Sequence, residues 1–476
     1  MNAHTIDVWL RDRARTTPAR VAIDYDGREV SYAELDRRSD DLAAALRHGE
    51  VVSTLTGNSP EHVALFFACA KSGALLHPIS WRLAPAEVAF QLDDAGSNVF
   101  WVEEGQSALA DAALSLASVR PRELVSDTFK VSDTKVSDTA PGDDDGLLLI
   151  YTSGKTGKPK GALLTHANCF WTNLSFDLAT GVSGDDVVLA FLPQFHCGGW
   201  NVQPLLAWWK GARVVLERQF DPARALRLIE HKRVTTLMGV PANYLFMAQD
   251  PAFASADLSS LRRAVVGGAP MPLPLLEEWR DRGVEIVQGY GLTEAAPNVL
   301  CLPPEDAMRK LGSAGKPYPY VEVDVADDGE LLVRGPNVFP GYWRNPEATA
   351  VALAGGWLHT GDVVERDDEG FFFVKGRLKE MFISGGENVY PAEVESVLRD
   401  HPGVADAAVV GVPDEAWGEV GTAFVVLDDA VSAEELLAFC RERLARFKVP
   451  KTVVVVDELP RNSMGKVQKS ELKVPA

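Results

Sequence analysis

The apolar run Leu147-Leu-Leu-Ile-Tyr151 opens directly into Thr152-Ser-Gly-Lys-Thr-Gly-Lys-Pro-Lys-Gly161, and this junction limits the folds open to the chain more than any other stretch. It reads as a strand delivering a phosphate loop. Glycines 154, 157 and 161 let the backbone turn its N–H groups toward an anion with no Cβ in the way. Thr152, Ser153 and Thr156 add hydroxyl donors, and Lys155, Lys158 and Lys160 add charge. Two familiar phosphate loops do not fit. A Walker A loop requires a glycine five residues before its Gly-Lys pair, where this chain has Leu149 or Thr152. The dinucleotide fingerprint fails because no glycine lies two residues from Gly154. Taken alone, the stretch also has the composition of a Gly/Lys-rich surface turn.

A length of 476 residues accommodates two or three domains at about 150 residues each. Apolar residues at 46% and charged residues at 24% are ordinary for a soluble globular protein, which disfavours disordered and membrane classes. The longest apolar stretch, residues 63–76, is interrupted by Lys71 and falls short of the roughly twenty residues that span a bilayer. The first residues lack the basic start and apolar core of a signal peptide, so a cytoplasmic location and no integral membrane association are expected. Cys69, Cys169, Cys197, Cys301 and Cys440 are widely spaced and form no C-x-x-C pair, which argues against disulfides and zinc. A net charge of −20 disfavours nucleic acid as a partner, and a polyanionic substrate must then meet locally basic patches. Monomer and homodimer both stay open.

Apolar and amphipathic segments alternate along the first 300 residues. Ser31 and Glu34 form a capping-box pattern ahead of Leu35, Leu42 and Leu46, which predicts a helix start. Residues 187–192, 213–216, 235–240, 261–266 and 285–288 read as strands, with helices at 222–232 and 273–282. This is the rhythm of an α/β sheet, whose ligands sit at the carboxyl ends of its strands. The glycine-rich segments after these strands, 195–200, 267–270 and 289–294, are thereby directed to one cleft. The repeats of Val-Ser-Asp-Thr at 125, 131 and 136 are too short for a solenoid and read as a solvated loop. Beyond Gly329 short strands and turns take over. A small domain follows, with a helix at 393–399, strands at 405–412 and 452–456, and a second capping box at Ser432 and Glu435.

In chain order these segments resemble the motifs of the adenylate-forming enzymes, the superfamily of acyl- and aryl-CoA synthetases, luciferases and adenylation domains. Their phosphate-loop wording, Tyr-Thr-Ser-Gly-Thr-Thr-Gly-x-Pro-Lys-Gly, is matched from Tyr151 to Gly161 with one departure, Lys155. The resemblance implies an α/β fold: a large N-terminal adenylation domain of α/β subdomains with a small β-barrel-like part over 1–378, and a small mobile α+β domain over 379–476. It implies ATP, Mg²⁺ and CoA. ATP or AMP would be held by Thr152, Ser153, Gly154, Lys155, Thr156, Gly157 and Lys160, by Gly268, Ala269 and Pro270, by Gly289, Tyr290 and Gly291, and by Asp362 and Arg377 at the ribose. Glu294 would hold the metal, and Thr293, His196 and Lys466 would act in catalysis. Lys379 would be the hinge, and Ser384, Gly385, Gly386, Trp417 and Lys448 would meet CoA.

The activity implied is that of an AMP-forming acyl-CoA synthetase, an acid–thiol ligase. Cys197, Gly198, Gly199, Trp200, Val202, Val240, Gly267 and Ala295 are the candidate acyl pocket, apolar and partly small. They contain no Lys or Arg, which counts against a dicarboxylate. A medium- or long-chain fatty acid is the first expectation, with a hydroxycinnamate-like aryl acid next and a carrier-protein-loading adenylation enzyme third.

Overall fold

The computed structural model describes residues 4–124, 140–152, 159–269, 271–384, 387–414, 417–461 and 467–473. The chain divides into two compact units, the first made of residues 1–323, 333–359 and 368–372, the second of 324–332, 360–367 and 373–476. No helix among the described residues is long and apolar enough to cross a membrane.

The first unit is built on two large sheets. A nine-stranded sheet carries at its centre the parallel strands Ile286–Gly291, Arg263–Val266, Thr236–Gly239, Val187–Ala190, Arg213–Leu216 and Val21–Tyr25. Antiparallel strands flank them: Asn298–Leu302 beyond Gly291, and Arg28–Ser31 beyond Tyr25. A seven-stranded sheet runs in the order Gly341–Tyr342, Lys160–Thr165, Gly146–Thr152, Leu75–Ile79, Val51–Leu55, Val99–Val102, Arg122–Glu123. The expected alternation of strand and helix fails at one instructive place. After Gly146–Thr152 the chain returns as the antiparallel strand Lys160–Thr165, and only then opens the helix His166–Thr180.

The helix Pro60–Ser72 explains the long apolar stretch of the sequence. Every residue in it but Glu61 is buried, so no polar face is needed and no helical periodicity appears. Ser59 caps it by accepting from the His62 N–H, Pro60 occupies its first turn, and Gly73 ends it at φ 72°. Phe66 stacks on Trp200 at 4.7 Å, and Phe67 meets Trp208 edge-on at 5.8 Å. Lys71, which interrupts the run, is buried yet satisfied: its ammonium donates to Asp36, Asp40 and Ser39 at 2.6–2.7 Å. The helix Tyr32–Ala43 starts at Ser31 as expected, but only half the box forms. Ser31 accepts from the Glu34 N–H, while the Glu34 carboxylate pairs with Arg38 one turn on.

The second unit holds most of a four-stranded sheet, Glu322–Val325, Glu330–Arg334, Leu358–Arg366 and Phe372–Arg377. It also holds a sheet organised around Gly418–Leu427, which pairs antiparallel with Val404–Asp414, parallel with Thr452–Val455, and with Phe382–Ser384 at its start. The helices Pro391–Arg399 and Ala433–Arg443 contribute Val394, Leu398, Leu436 and Cys440 to its core, beside Val409, Ala423 and Val425. At the second helix both arms of the capping box form, between Ser432 and Glu435.

Candidate active site

In the first unit the expected residues gather at the strand ends. Gly239 closes and Gly267 follows two neighbouring parallel strands, Gly289 comes just after the parallel-paired part of the third, and the Gly267 N–H donates to the Gly239 carbonyl. Side chains are excluded there by space. A Cβ on Gly267 would lie 2.9 Å from the Met238 methyl and 3.3 Å from the Gly289 carbonyl oxygen. Gly268 has φ 83°, the left-handed region that glycine adopts without strain, and faces the Val240 side chain. Ala269 is exposed beside it, and Tyr290 is half-buried on the strand ending at Gly291.

Thr293 and Glu294 sit in a single 3-10 turn, Thr293–Ala295, just past that strand. The turn is held from several sides. Phe339 N–H donates to the Glu294 carbonyl, and the Asn337 side chain donates to the carbonyls of Ala295 and Asn298. Gly291 is obligatory here, because a Cβ would fall 1.7 Å from the Pro297 carbonyl oxygen. The Glu294 carboxylate, half-buried, accepts from the Tyr342 hydroxyl at 2.7 Å. Burial first, and the adjacent carboxylate second, push the Tyr342 phenol above its usual range, so it serves as donor.

The phosphate-loop stretch has both ends defined. Thr152 and Lys160 are cross-strand partners, and the Lys160 ammonium lies 5.0 Å from the Tyr342 ring centroid. Gly161 is required by its neighbours: a Cβ would meet the Leu149 side chain at 2.8 Å and the Tyr151 ring at 3.2 Å. The Tyr151 hydroxyl donates to Asp94 at 2.7 Å. Ser153, Gly154, Lys155, Thr156 and Gly157 lie outside the described residues, as do Pro270, Gly385, Gly386 and Lys466.

The segment after the strand Val187–Ala190 folds tightly. His196 N–H donates to the Pro193 carbonyl, and Gly199 packs so closely on it that a Cβ would sit 2.4 Å from that oxygen. His196 is half-buried with its ring edge-on to Phe195 at 4.6 Å. Gly198 has room, its nearest neighbours for a Cβ being 3.9 Å away. Trp200 is fully buried, with its indole N–H donating to the Gln194 carbonyl and its ring on Phe66, so its face is committed to the core. Val202 and Ala295 are also buried. Cys197 is buried with Cys169, and the Asn201 amide reaches both sulfurs at 3.7 and 3.4 Å. Burial pushes the Cys197 thiol up, which keeps it protonated.

The second unit carries its own constellation. The buried Asp362 carboxylate accepts from the Arg377 Nε at 2.7 Å, with the guanidinium half exposed. The turn bearing Asp362 is fixed by residues the motifs do not name. Glu330, buried, accepts from the Gly361 N–H at 2.7 Å, and the Thr360 hydroxyl donates to the Leu331 carbonyl. Lys379 is exposed in the 3-10 turn Leu378–Glu380 that separates two strands. Its neighbour Glu380 is bridged by Lys469 to Glu395, both contacts at 2.7 Å. Ser384 is buried and pairs with Gly418, next to the part-exposed Trp417. Lys448 is neutralised by Glu393 at 2.7 Å.

Sequence reasoning missed Tyr342 and Glu330. Both lie in short irregular strands where no periodicity marks a side chain as directed to a site, and the only local signal is Gly341, whose φ of 148° sets the chain against Thr349.

Glu294, Thr293 and Thr152 offer oxygen donors only, the donor set a hard Mg²⁺ ion takes, and no nitrogen or sulfur ligand competes among them. The family described as AMP-binding enzyme matches residues 10–343, and its C-terminal domain matches residues 393–466. The chain is 43% identical to a feruloyl-CoA synthase from Amycolatopsis sp over 98% of both proteins. It is 38% identical to a long-chain-fatty-acid–CoA ligase of Mycobacterium tuberculosis over 98% of this chain and 97% of the other. Among solved structures, O-succinylbenzoate coenzyme A synthetase (MenE) from Bacillus subtilis, in complex with ATP and magnesium ion, superposes with a TM-score of 0.89 at 35% identity, covering 98% of each chain.

Proposed function

The chain belongs to the AMP-binding enzymes, as an AMP-forming acyl-CoA synthetase of the adenylate-forming superfamily, and on that premise we propose that its substrate is an aryl-substituted carboxylic acid of the hydroxycinnamate kind. The carrying observation is the end-to-end match to a feruloyl-CoA synthase, 43% identical over 98% of both proteins, on a candidate acyl pocket whose members carry no charged side chain. The higher identity to the feruloyl-CoA synthase than to the fatty-acid ligase supports the same reading and moves it ahead of the fatty acid that the sequence favoured.

The reaction has two halves. A carboxylate oxygen of the acid attacks the α-phosphorus of ATP, the P–O bond to the β-phosphate breaks, and pyrophosphate leaves. The CoA sulfur then attacks the acyl carbon, the bond to the phosphate oxygen breaks, and AMP departs as the thioester forms. Such chemistry asks the protein for positioning and charge neutralisation rather than covalent help. We assign Lys160, Thr152 and the residues 153–157 to the triphosphate, and Glu294 with Thr293 to the metal-bound phosphates. The Mg²⁺ ion, when bound, neutralises phosphate charge. Gly268, Ala269, Pro270, Gly289, Tyr290 and Gly291 take the adenine side, and Asp362 with Arg377 takes the ribose. Lys466 neutralises charge at the carboxylate and α-phosphate, and His196 gates the acid pocket. We assign Lys379 to a hinge at the boundary between 1–378 and 379–476, and Ser384, Gly385, Gly386, Trp417 and Lys448 to CoA. For Lys448 that role requires exchange of its Glu393 partner for a CoA phosphate. A cytoplasmic site of action follows from soluble ATP, CoA and acid as its partners.

The test is pyrophosphate release over a panel of acetate, octanoate, palmitate, cinnamate, ferulate and malonate, with and without CoA. Release with ferulate or cinnamate, accelerated by CoA, is expected. Release restricted to the fatty acids would overturn the substrate, and release indifferent to CoA would replace the thiol acceptor.

A further inference from the structure

The hydroxyl of Tyr342 meets a carboxylate, its ring meets an ammonium, and its backbone belongs to a different sheet from the carboxylate it holds. Tyr342 pairs with Ala162 on the returning strand of the phosphate hairpin, and the next residue, Trp343, donates its N–H to the Gly161 carbonyl at 2.7 Å. The Tyr342 N–H itself is taken by the Thr349 hydroxyl at 2.9 Å, so the backbone is fixed on both sides. Glu294, by contrast, follows the last parallel strand of the nine-stranded sheet. The Tyr342 hydroxyl bridges the two at 2.7 Å from Oε1, and Lys160 lies over the ring at 5.0 Å. Phe339 packs edge-on at 5.0 Å and fixes the ring plane.

We propose that Tyr342 is a positioning residue that presents Glu294 to the metal-bound triphosphate and sets its distance from Lys160. The physical need is plain. A carboxylate at the end of a flexible side chain, placed on a one-turn helix, swings unless one oxygen is tied down. With Oε1 committed to the phenol, Oε2 has no hydrogen-bond partner among the described residues and is left as the donor to the cation. An outer partner that orients a ligating carboxylate in this way typically changes metal affinity by about 10- to 100-fold when removed. The ammonium over the ring face is attracted to it, which favours its place beside the ring. Lys160 and Glu294 both meet Tyr342 and form no ion pair with each other, so the carboxylate stays available to the cation and the ammonium to the phosphates.

This inference rests on the assignment of Glu294 to the metal-bound phosphates, and the experiment separates the two. Binding of α,β-methylene-ATP is measured by calorimetry with EDTA and with Mg²⁺, so that the affinity gained from the metal is read without turnover. Tyr342→Phe keeps the ring, its contact with Phe339 and the cation above it, and an unchanged denaturation midpoint checks that it folds. It is expected to lose about tenfold of the Mg²⁺-dependent gain with metal-free binding unchanged. Glu294→Gln is expected to abolish the gain, and the double variant to be no worse than Glu294→Gln. If Tyr342→Phe retains the full gain while Glu294→Gln loses it, the positioning role is wrong and the Glu294 assignment stands. If Glu294→Gln retains the gain, the assignment itself fails. Equal losses in EDTA and in Mg²⁺ for Tyr342→Phe would make it a merely structural contact and overturn the proposal.

Discussion

Replacing Gly291 by alanine tests how tightly the fold fixes the Thr293–Glu294 turn. The new methyl would lie 1.7 Å from the Pro297 carbonyl oxygen and 2.7 Å from its carbon, both backbone atoms that no rotamer change can remove. That carbonyl must retreat by upwards of about 1 Å, and it is already the acceptor for the Leu292 N–H. Overpacking of this kind costs about 1–3 kcal/mol, and loss of the bond about 1 more, so about 2–4 kcal/mol of destabilisation is expected. The displaced segment carries Glu294, and a misplacement near 1 Å in a phosphate-handling group costs about 100-fold in rate. Denaturant unfolding followed by tryptophan fluorescence gives the first quantity, and ATP–pyrophosphate exchange with the preferred acid gives the second. Gly198→Ala, whose methyl has no neighbour closer than 3.9 Å, is the control and keeps the wild-type midpoint. A Gly291→Ala protein with wild-type midpoint and exchange rate would refute the reasoning.

Lys155→Thr, which restores the residue usual at that point of the phosphate loop, shifts the ATP KM while turnover persists; complete loss of activity would refute this. Asp362→Asn weakens a charge-assisted pair with Arg377 and the proposed ribose contact, so the ATP KM rises by about 10- to 100-fold with the acid KM little changed, checked by steady-state kinetics. His62, His77 and His166 are buried, and burial lowers them to about 4, about 3 and about 4 respectively. Below pH 6.5 the unfolded chain takes up protons that the folded one refuses, so their contribution is present above that pH and is lost as pH falls toward 4. A denaturation midpoint that stays level from pH 6.5 to 4.5, measured in urea, would contradict the neutral buried state of these rings.

The fold was legible in the sequence where local physics acts alone. Capped helices begin at Ser31 and Ser432, the strand glycines mark where parallel strands stop, and Gly161 and Gly291 stand where the chain approaches itself. Strands set by pairing were not legible. Gly418–Leu427, the organising strand of its sheet, opens with glycines at 418 and 421, which weaken a strand pattern, and its apolar half lacks alternation because neighbours cover it. The return strand Lys160–Thr165 has the same difficulty, since its partner fixes it rather than its own pattern. At the site, the motif residues carried their chemistry in their identity, whereas Tyr342 and Glu330 act only through the groups they hold.

The antiparallel return after Thr152 also decides where the site's positive charge comes from. In loops that open straight into a helix, the first free amides and the macrodipole supply part of the attraction for phosphate. Here the strand Lys160–Thr165 intervenes before His166–Thr180, so a helix N-terminus does not follow directly on the loop, and ammonium groups take a larger share of the attraction. Nucleotide affinity is then open to titration by salt and to lysine-directed reagents, and it can be retuned one lysine at a time. Lys155, standing where the resembling loop wording has threonine, is such an increment of charge.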